Sequence, residues 1–360
     1  LRPAYAYAMG LIMFHARIAQ YMPRLANLVT HTPVIKDLIK GAGGLTTERE
    51  MPPFAHRTFK AWFKERGAKN LSSPPVVLFP DTFNNYFHPE TAKATVEVLE
   101  DAGYRVVVPQ QHLCCGRPLF DYGMLDTAKA FFNHLVDGLR PYAREGICIV
   151  GIEPSCVAAF RDELPNMLPH DEDAKRLSQN TLTLGEFLTQ EAQHYEPPKL
   201  ERKAIVHGHC HHKSIMGMDA EEKLLEELGL DFEVLDSGCC GLAGSWGFEK
   251  EHYDLSMQIG ERRLLPAARN AERDTLIISD GFSCKTQIEH ATDRRALHIA
   301  QVIKMAMDHG GSGSTGDYPE RGYPDVVLNG HKPEIKAAAA AGAAVAGGAL
   351  AWGLKKRRFG

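Results

Sequence analysis

The chain carries one cysteine pattern twice, and that duplication limits what it can fold into. Cys114-Cys115-Gly116 and Cys239-Cys240-Gly241 each follow a β-rich run, Tyr104 to Pro109 in the first case and Phe232 to Ser237 in the second. Downstream, Glu153-Pro154-Ser155-Cys156 and Gly281-Phe282-Ser283-Cys284 each follow a further run, 147 to 152 and 275 to 280. Upstream, the run 76 to 80 leads into Asp81 and the run 203 to 208 into Cys210. The spacings agree to within a few residues: 114 − 81 = 33 and 156 − 115 = 41 in the first unit, 239 − 210 = 29 and 284 − 240 = 44 in the second. Each unit reads β-α-β-α-β with a thiol or carboxylate after every strand.

Between these runs lie helical stretches near 90 to 102, 124 to 140, 219 to 229, 249 to 272 and 294 to 307, and such alternation predicts an α/β fold with parallel strands. The expected organisation is a helical lead-in over 1–70 with no visible chemistry, unit one over 71–200 and unit two over 201–307. Residues 308–336, rich in Gly, Ser and Pro, read as a flexible linker. The tail 337–360 is Ala-rich with a basic end, Lys355-Lys356-Arg357-Arg358. Because an apolar helical pattern is already running by Tyr5, the chain is expected to be a piece of something longer.

In parallel sheets the residues just past neighbouring strand ends converge on one edge, where ligands bind. Cys210, Cys239, Cys240 and Cys284 are therefore expected to meet. Four thiolates suit a [4Fe–4S] cluster or a tetrahedral zinc, and vicinal cysteines favour the cluster. Unit one offers Cys114, Cys115 and Cys156, with Asp81 taken as the counterpart of Cys210. A three-thiolate site of that kind would be labile, zinc-loaded or empty. Cys148 lies inside a strand and reads as a small core residue. His207, His209, His211 and His212 crowd around Cys210 and are expected to act behind the ligands, by hydrogen bonding or proton exchange. Arg117 and Lys213 would add positive charge, and Gly116 and Gly241 would allow close backbone approach.

Composition removes several classes. Lys and Arg number 41 against 45 Asp and Glu, a net charge of −4, which argues against a nucleic-acid binder held by phosphate contacts. Eight cysteines are too few for a disulfide scaffold of 360 residues, and no secretory signal opens the chain, so reduced thiols and a cytoplasmic location are expected. The tail would be marginal as a membrane span, and its basic end favours contact with anionic lipid at the inner face of the cell membrane.

The duplicated pattern resembles the Cys-Cys-Gly domain shared by heterodisulfide reductase, the glycolate oxidase iron–sulfur subunit and anaerobic glycerol-3-phosphate dehydrogenase. That family's unit carries one Cys, then Cys-Cys-Gly, then Cys-x-x-Cys. Here Glu153 and Gly281 stand at the first position of the last pair. A closer resemblance is to the C-terminal part of FAD-linked oxidases of the D-lactate dehydrogenase type, carried by Asp81-Thr-Phe-Asn-Asn-Tyr-Phe87, the stretch Cys114 to Leu125, His207-Gly-His-Cys-His-His-Lys213, Ser237-Gly-Cys-Cys-Gly241 and Asp280-Gly-Phe-Ser-Cys284. The resemblance implies an iron–sulfur relay. A flavin domain holding FAD and a ferredoxin-like domain would lie upstream or on a partner chain, and a quinone or cytochrome would accept the electrons. Two rival classes are a thiol–disulfide reductase working through Cys239 and Cys240, and a structural zinc module.

Overall fold

The computed structural model describes residues 1–313 and 316–323. Two parallel sheets form its centre. The first runs β2-β1-β3-β4, with β1 Pro75–Phe79, β2 Arg105–Val107, β3 Ile149–Gly151 and β4 Thr181–Thr183. The second runs β6-β5-β7, with β5 Lys203–Val206, β6 Asp231–Val234 and β7 Leu276–Ile278. In both sheets the first strand of the unit lies in the middle. A lone parallel bridge, Ile278 to Leu297, extends the second sheet on the side where β4 extends the first.

The six expected strands are present; β1 is displaced by one residue at the same length, and the other five are shorter than their β-rich runs. β4 is the addition: Thr181-Leu182-Thr183 has one aliphatic residue, so no apolar run marks it. In β1 both faces are covered, as parallel strands require. Val76 and Leu78 point into a core shared with β5, β7 and the helices Pro89–Asp101, Asp219–Leu228 and Ile299–His309. Val77 and Phe79 point the other way, against Phe132, Leu135 and Leu139 of helix Leu125–Arg144. The expected helix over 249–272 is two helices, Tyr253–Glu261 and Leu264–Asn270. The one expected over 294–307 begins at Ile299, because residues 294–298 run extended past β7 and His298 caps the helix in a capping box with Gln301. Thr183 and Glu186 form the matching box after β4.

The units exchange their last helices. Ile299–His309, the end of unit two, packs on Pro89–Asp101 of unit one, and Lys304 bonds Glu97 across that seam at 3.2 Å. Reciprocally, the segment Leu184–Glu191 that ends unit one packs on Asp219–Leu228 of unit two.

Strand register corrects one equivalence. Val77 pairs with Ile149 and Ile205 with Ile277. Ile149 and Ile277 each precede their cysteine by seven residues, since 156 − 149 = 284 − 277 = 7. Val77 and Ile205 are therefore equivalent, an offset of 205 − 77 = 128. The counterpart of Cys210 is Thr82, and Asp81 corresponds to His209. Reading the first thiol or carboxylate after each strand as equivalent slipped the alignment by one residue.

The expected linker also differs. Its first residues complete the helix ending at His309, and Pro319–Gly322 forms a 3-10 turn whose buried Glu320 bonds Arg294 at 2.7 Å. Linker residues 314, 315 and 324–336 and the tail 337–360 lie outside the described residues. Among the described residues no helix is long and apolar enough to cross a membrane.

Candidate metal centre

Unit two brings its four thiols together. Cys210 begins the helical turn after β5, Cys239 and Cys240 lie in the loop after β6, and Cys284 is the third residue of helix Phe282–Ala291 after β7. The thiols form a chain of contacts in which Cys210 touches Cys239, Cys239 touches Cys240 and Cys240 touches Cys284. Cys240 and Cys284 are buried, while Cys210 and Cys239 are half-buried. Gly241 has φ +97°, and a Cβ there would collide with the Ser256 carbonyl, so only glycine lets the loop turn so close to helix Tyr253–Glu261.

Four touching thiols cannot all ionise without a cation. Cys284 is held well below the ordinary thiol range by the hydrogen bond from Cys240, with His207 and His209 beside it, and Cys240 is pushed up correspondingly. Cys210 is pushed up by its contact with Cys239 and by burial. Sharing protons in this way is what a soft metal would relieve, because a bound cation ionises every ligating thiol. The donor set suits iron or zinc held by sulfur, and a ring nitrogen of His207 lies within 4.8 Å of the Cys240 and Cys284 sulfurs.

The histidines divide by partner. His209 is buried, its Nδ1 accepts the His211 N–H at 3.2 Å, and its ring fills the space a side chain at Gly281 would need. His211 Nε2 accepts from the Arg117 guanidinium at 2.6 Å, and burial with that neighbouring charge pushes its pKa down to about 4. His212 is buried near Asp280 and Glu186 and is pushed down chiefly by burial. Arg117 also pairs with Glu163 and with Asp121. Lys213 donates to the Ser237 and Gly238 carbonyls, which ties the Cys-Cys-Gly loop to the turn after β5.

A residue of the lead-in is the one that pattern reading missed. Arg49 is 1% exposed. It donates to the Gly247 carbonyl at 2.8 Å and to the Ser256 hydroxyl at 2.9 Å, with its guanidinium 5.2 Å from the Tyr253 ring and close enough to Cys240 to feel its charge. The strand-like bridge Leu45 to Glu249 and the Thr46 N–H to Phe248 carbonyl bond at 2.8 Å hold the lead-in there. The lead-in is therefore not devoid of chemistry. No motif flags Arg49, because its partners lie some 200 residues away in sequence.

Unit one brings together Cys114, Cys115 and Cys156, all buried, with 3.0 Å between the Cys115 and Cys156 sulfurs. Thr82 faces Cys114 as Cys210 faces Cys239, and among the described residues its hydroxyl has no other partner. Asp81, expected as a ligand, instead caps helix Thr82–Tyr86. Its Oδ1 accepts the Phe83 and Asn84 N–H groups at 2.9 and 3.0 Å, and its Oδ2 accepts the Asn84 amide at 2.8 Å. Glu153 is buried as well and is pushed up to about 8 by burial and by Asp81. Cys148, expected as a core residue, is half-buried and packs on the shared core.

The comparisons agree with this geometry. The profile of the family described as Cysteine-rich domain matches residues 78–161 and 206–289, two copies offset by 206 − 78 = 128, the offset the strand register gives. The chain is 30% identical over 297 residues to a subunit of the Anaerobic glycerol-3-phosphate dehydrogenase of Escherichia coli, covering 79% of this chain and 72% of that protein. It is 30% identical over 242 residues to Lactate utilization protein A of Anoxybacillus flavithermus, covering 63% of this chain and 98% of that protein. D-2-hydroxyglutarate dehydrogenase of Pseudomonas putida is 23% identical over 317 residues, covering 84% of this chain and 30% of that protein. With two copies of its signature domain and this relation to part of a dehydrogenase along most of both chains, the protein belongs to the cysteine-rich, Cys-Cys-Gly domain family.

Proposed function

We propose that the chain is the iron–sulfur electron-transfer region of an FAD-linked 2-hydroxy-acid dehydrogenase, with unit two as its principal centre. The observation that carries this reading is the unbroken contact among Cys210, Cys239, Cys240 and Cys284 at one sheet edge. A bound [4Fe–4S] cluster would supply one-electron transfer there. The chain's own residues hold and tune the site. Burial of Cys240 and Cys284 excludes water, the first turn of helix Phe282–Ala291 favours thiolate at Cys284, and Arg49 sets a fixed positive charge near Cys240. Half-buried Cys210 and Cys239 mark the side from which a partner reaches the site.

The names of the relatives support a dehydrogenase context: glycerol-3-phosphate, lactate and 2-hydroxyglutarate are all hydroxy compounds whose oxidation releases two electrons. In this reading a flavin domain and a ferredoxin-like domain on an upstream segment or partner chain deliver electrons, and a quinone or cytochrome removes them. The protein in this reading works in the cytoplasm, near the inner face of the membrane. Unit one, with three thiols and Thr82, holds a weaker centre or none.

The test is anaerobic purification followed by iron, sulfide and zinc analysis with EPR of the reduced protein. Iron and sulfide in cluster proportion, lost in Cys284→Ser, are expected. Zinc alone, with no EPR signal on reduction, would favour the structural module and end this reading.

A further inference from the structure

We propose that His207 ligates the unit-two centre through Nε2, making it a mixed imidazole and thiolate site. The proposal rests on the reading that unit two binds metal. His207 is the first residue past β5, 1% exposed, and a ring nitrogen lies within 4.8 Å of the sulfurs of Cys240 and Cys284. Its Nδ1 is 2.8 Å from the Ser237 hydroxyl, and that hydroxyl donates to the Leu235 carbonyl at 3.3 Å. With its own proton so engaged, the Ser237 oxygen accepts, and Nδ1 carries the ring proton. The Nε2 lone pair is then free. Nε2 is buried, and among the described residues it meets no nitrogen or oxygen partner, only the Cys284 sulfur.

This is how metal-ligating histidines are held, with one ring nitrogen donating to a protein oxygen and the other presented to the metal. A buried imidazole nitrogen whose sole contact is a thiol sulfur is poorly satisfied, and coordination to a metal satisfies it. Ring nitrogens of His209 and His211 also lie within 4.8 Å of each other and of the Cys210 sulfur, and His211 Nδ1 is buried without a partner among the described residues, but in each ring the lone pair is already used, so the other nitrogen carries the proton. His209 Nδ1 accepts from the His211 backbone, and His211 Nε2 is taken by Arg117.

The experiment is pulsed EPR of the anaerobically isolated and then reduced full chain, with and without 15N-labelled histidine. One strongly coupled histidine nitrogen is expected in the wild type, lost in His207→Ala and retained in His209→Ala and His211→Ala. Ser237→Ala keeps the ligand but removes its proton acceptor, so the coupling should shift and not vanish. If His207→Ala fails to load metal, the labelled wild type compared with the other two histidine variants still decides. Iron bound with no strongly coupled nitrogen overturns the proposal and leaves the electron-transfer reading standing. If zinc is found, X-ray absorption replaces EPR, and an all-sulfur shell overturns the proposal. Protein free of any metal overturns both.

Discussion

Glu153 accepts the backbone N–H of Phe282 through Oε2 at 2.8 Å, so a carboxyl group following β3 of unit one caps the helix that carries Cys284 of unit two. Its other oxygen accepts the Ser155 hydroxyl, also at 2.8 Å, on the helix that carries Cys156. One side chain thus joins the two cysteine helices, from the position that corresponds to Gly281.

That placement makes stability depend on pH. Glu153 titrates near 8 in the folded chain and near 4.5 when unfolded, because burial disfavours its charge. Between those values the folded state holds a proton the unfolded state has lost. Stability contributed by this group is therefore full below about pH 4.5 and declines as pH rises towards 8, by at most about 1.4 kcal/mol per pH unit. Glu153→Gln keeps an acceptor for Phe282 and removes the titration. Denaturant midpoints of holo wild type and variant at pH 5.5, 7 and 8 should diverge in the variant's favour as pH rises; parallel curves would show that Glu153 titrates normally.

Ligated thiols are protected thiols. In the holo protein, alkylation of Cys239, half-buried though it is, should be slow, and chelation of the metal should accelerate it many-fold. Mass spectrometry after a timed pulse of iodoacetamide reads this directly. Rapid, selective labelling of Cys239 or Cys240 with metal retained would instead support thiol–disulfide chemistry.

Arg49 should affect both the potential and the fold. Arg49→Ala strips the donors from the Gly247 carbonyl and the Ser256 hydroxyl and removes the positive charge near Cys240. A loss of about 1.5–3 kcal/mol is expected for the charged hydrogen bonds. Redox titration should give a more negative midpoint, since an added electron loses a nearby positive charge. Arg49→Lys should recover most of the potential and less of the stability, because it keeps the charge but not the fork of donors.

The pair Arg294 and Glu320, both 2% exposed, anchors the 3-10 turn Pro319–Gly322. Glu320→Ala leaves the guanidinium buried and unmatched, at a cost of about 3–5 kcal/mol. Thermal unfolding should drop accordingly, and limited proteolysis should cut near Tyr318, whose N–H bonds the Arg273 carbonyl in the intact chain. An unchanged proteolytic pattern would mean the turn is held by other contacts.

What could be read from residue order follows from how local each signal is. The six strand runs and the duplicated cysteines depend on neighbours within a few positions, and all four thiols of unit two meet as strand-end placement requires. β4 escaped because its neighbours, not its own three residues, make it a strand. The Asp81 assignment failed because a carboxylate after a strand serves equally as a ligand or a helix cap, and only the register separates the two. Arg49, the Glu153 bond to Phe282 and the Arg117 contact with His211 join residues some 94 to 207 positions apart, which no spacing rule can reach.

The reciprocal seating of Ile299–His309 on Pro89–Asp101 and of Leu184–Glu191 on Asp219–Leu228 means that neither half of the duplication is a self-sufficient folding body. Cut between Leu200 and Glu201, each fragment would lack the cover for its own first helix and expose aliphatic surface that only the other fragment matches. The same exchange between two separate copies of one unit would be a domain-swapped dimer, and joining the copies end to end turns that intermolecular exchange into an intramolecular one. Fusion also frees the copies to diverge, so one can keep four thiols at its edge while the other gives up a sulfur for Thr82 and still braces its neighbour.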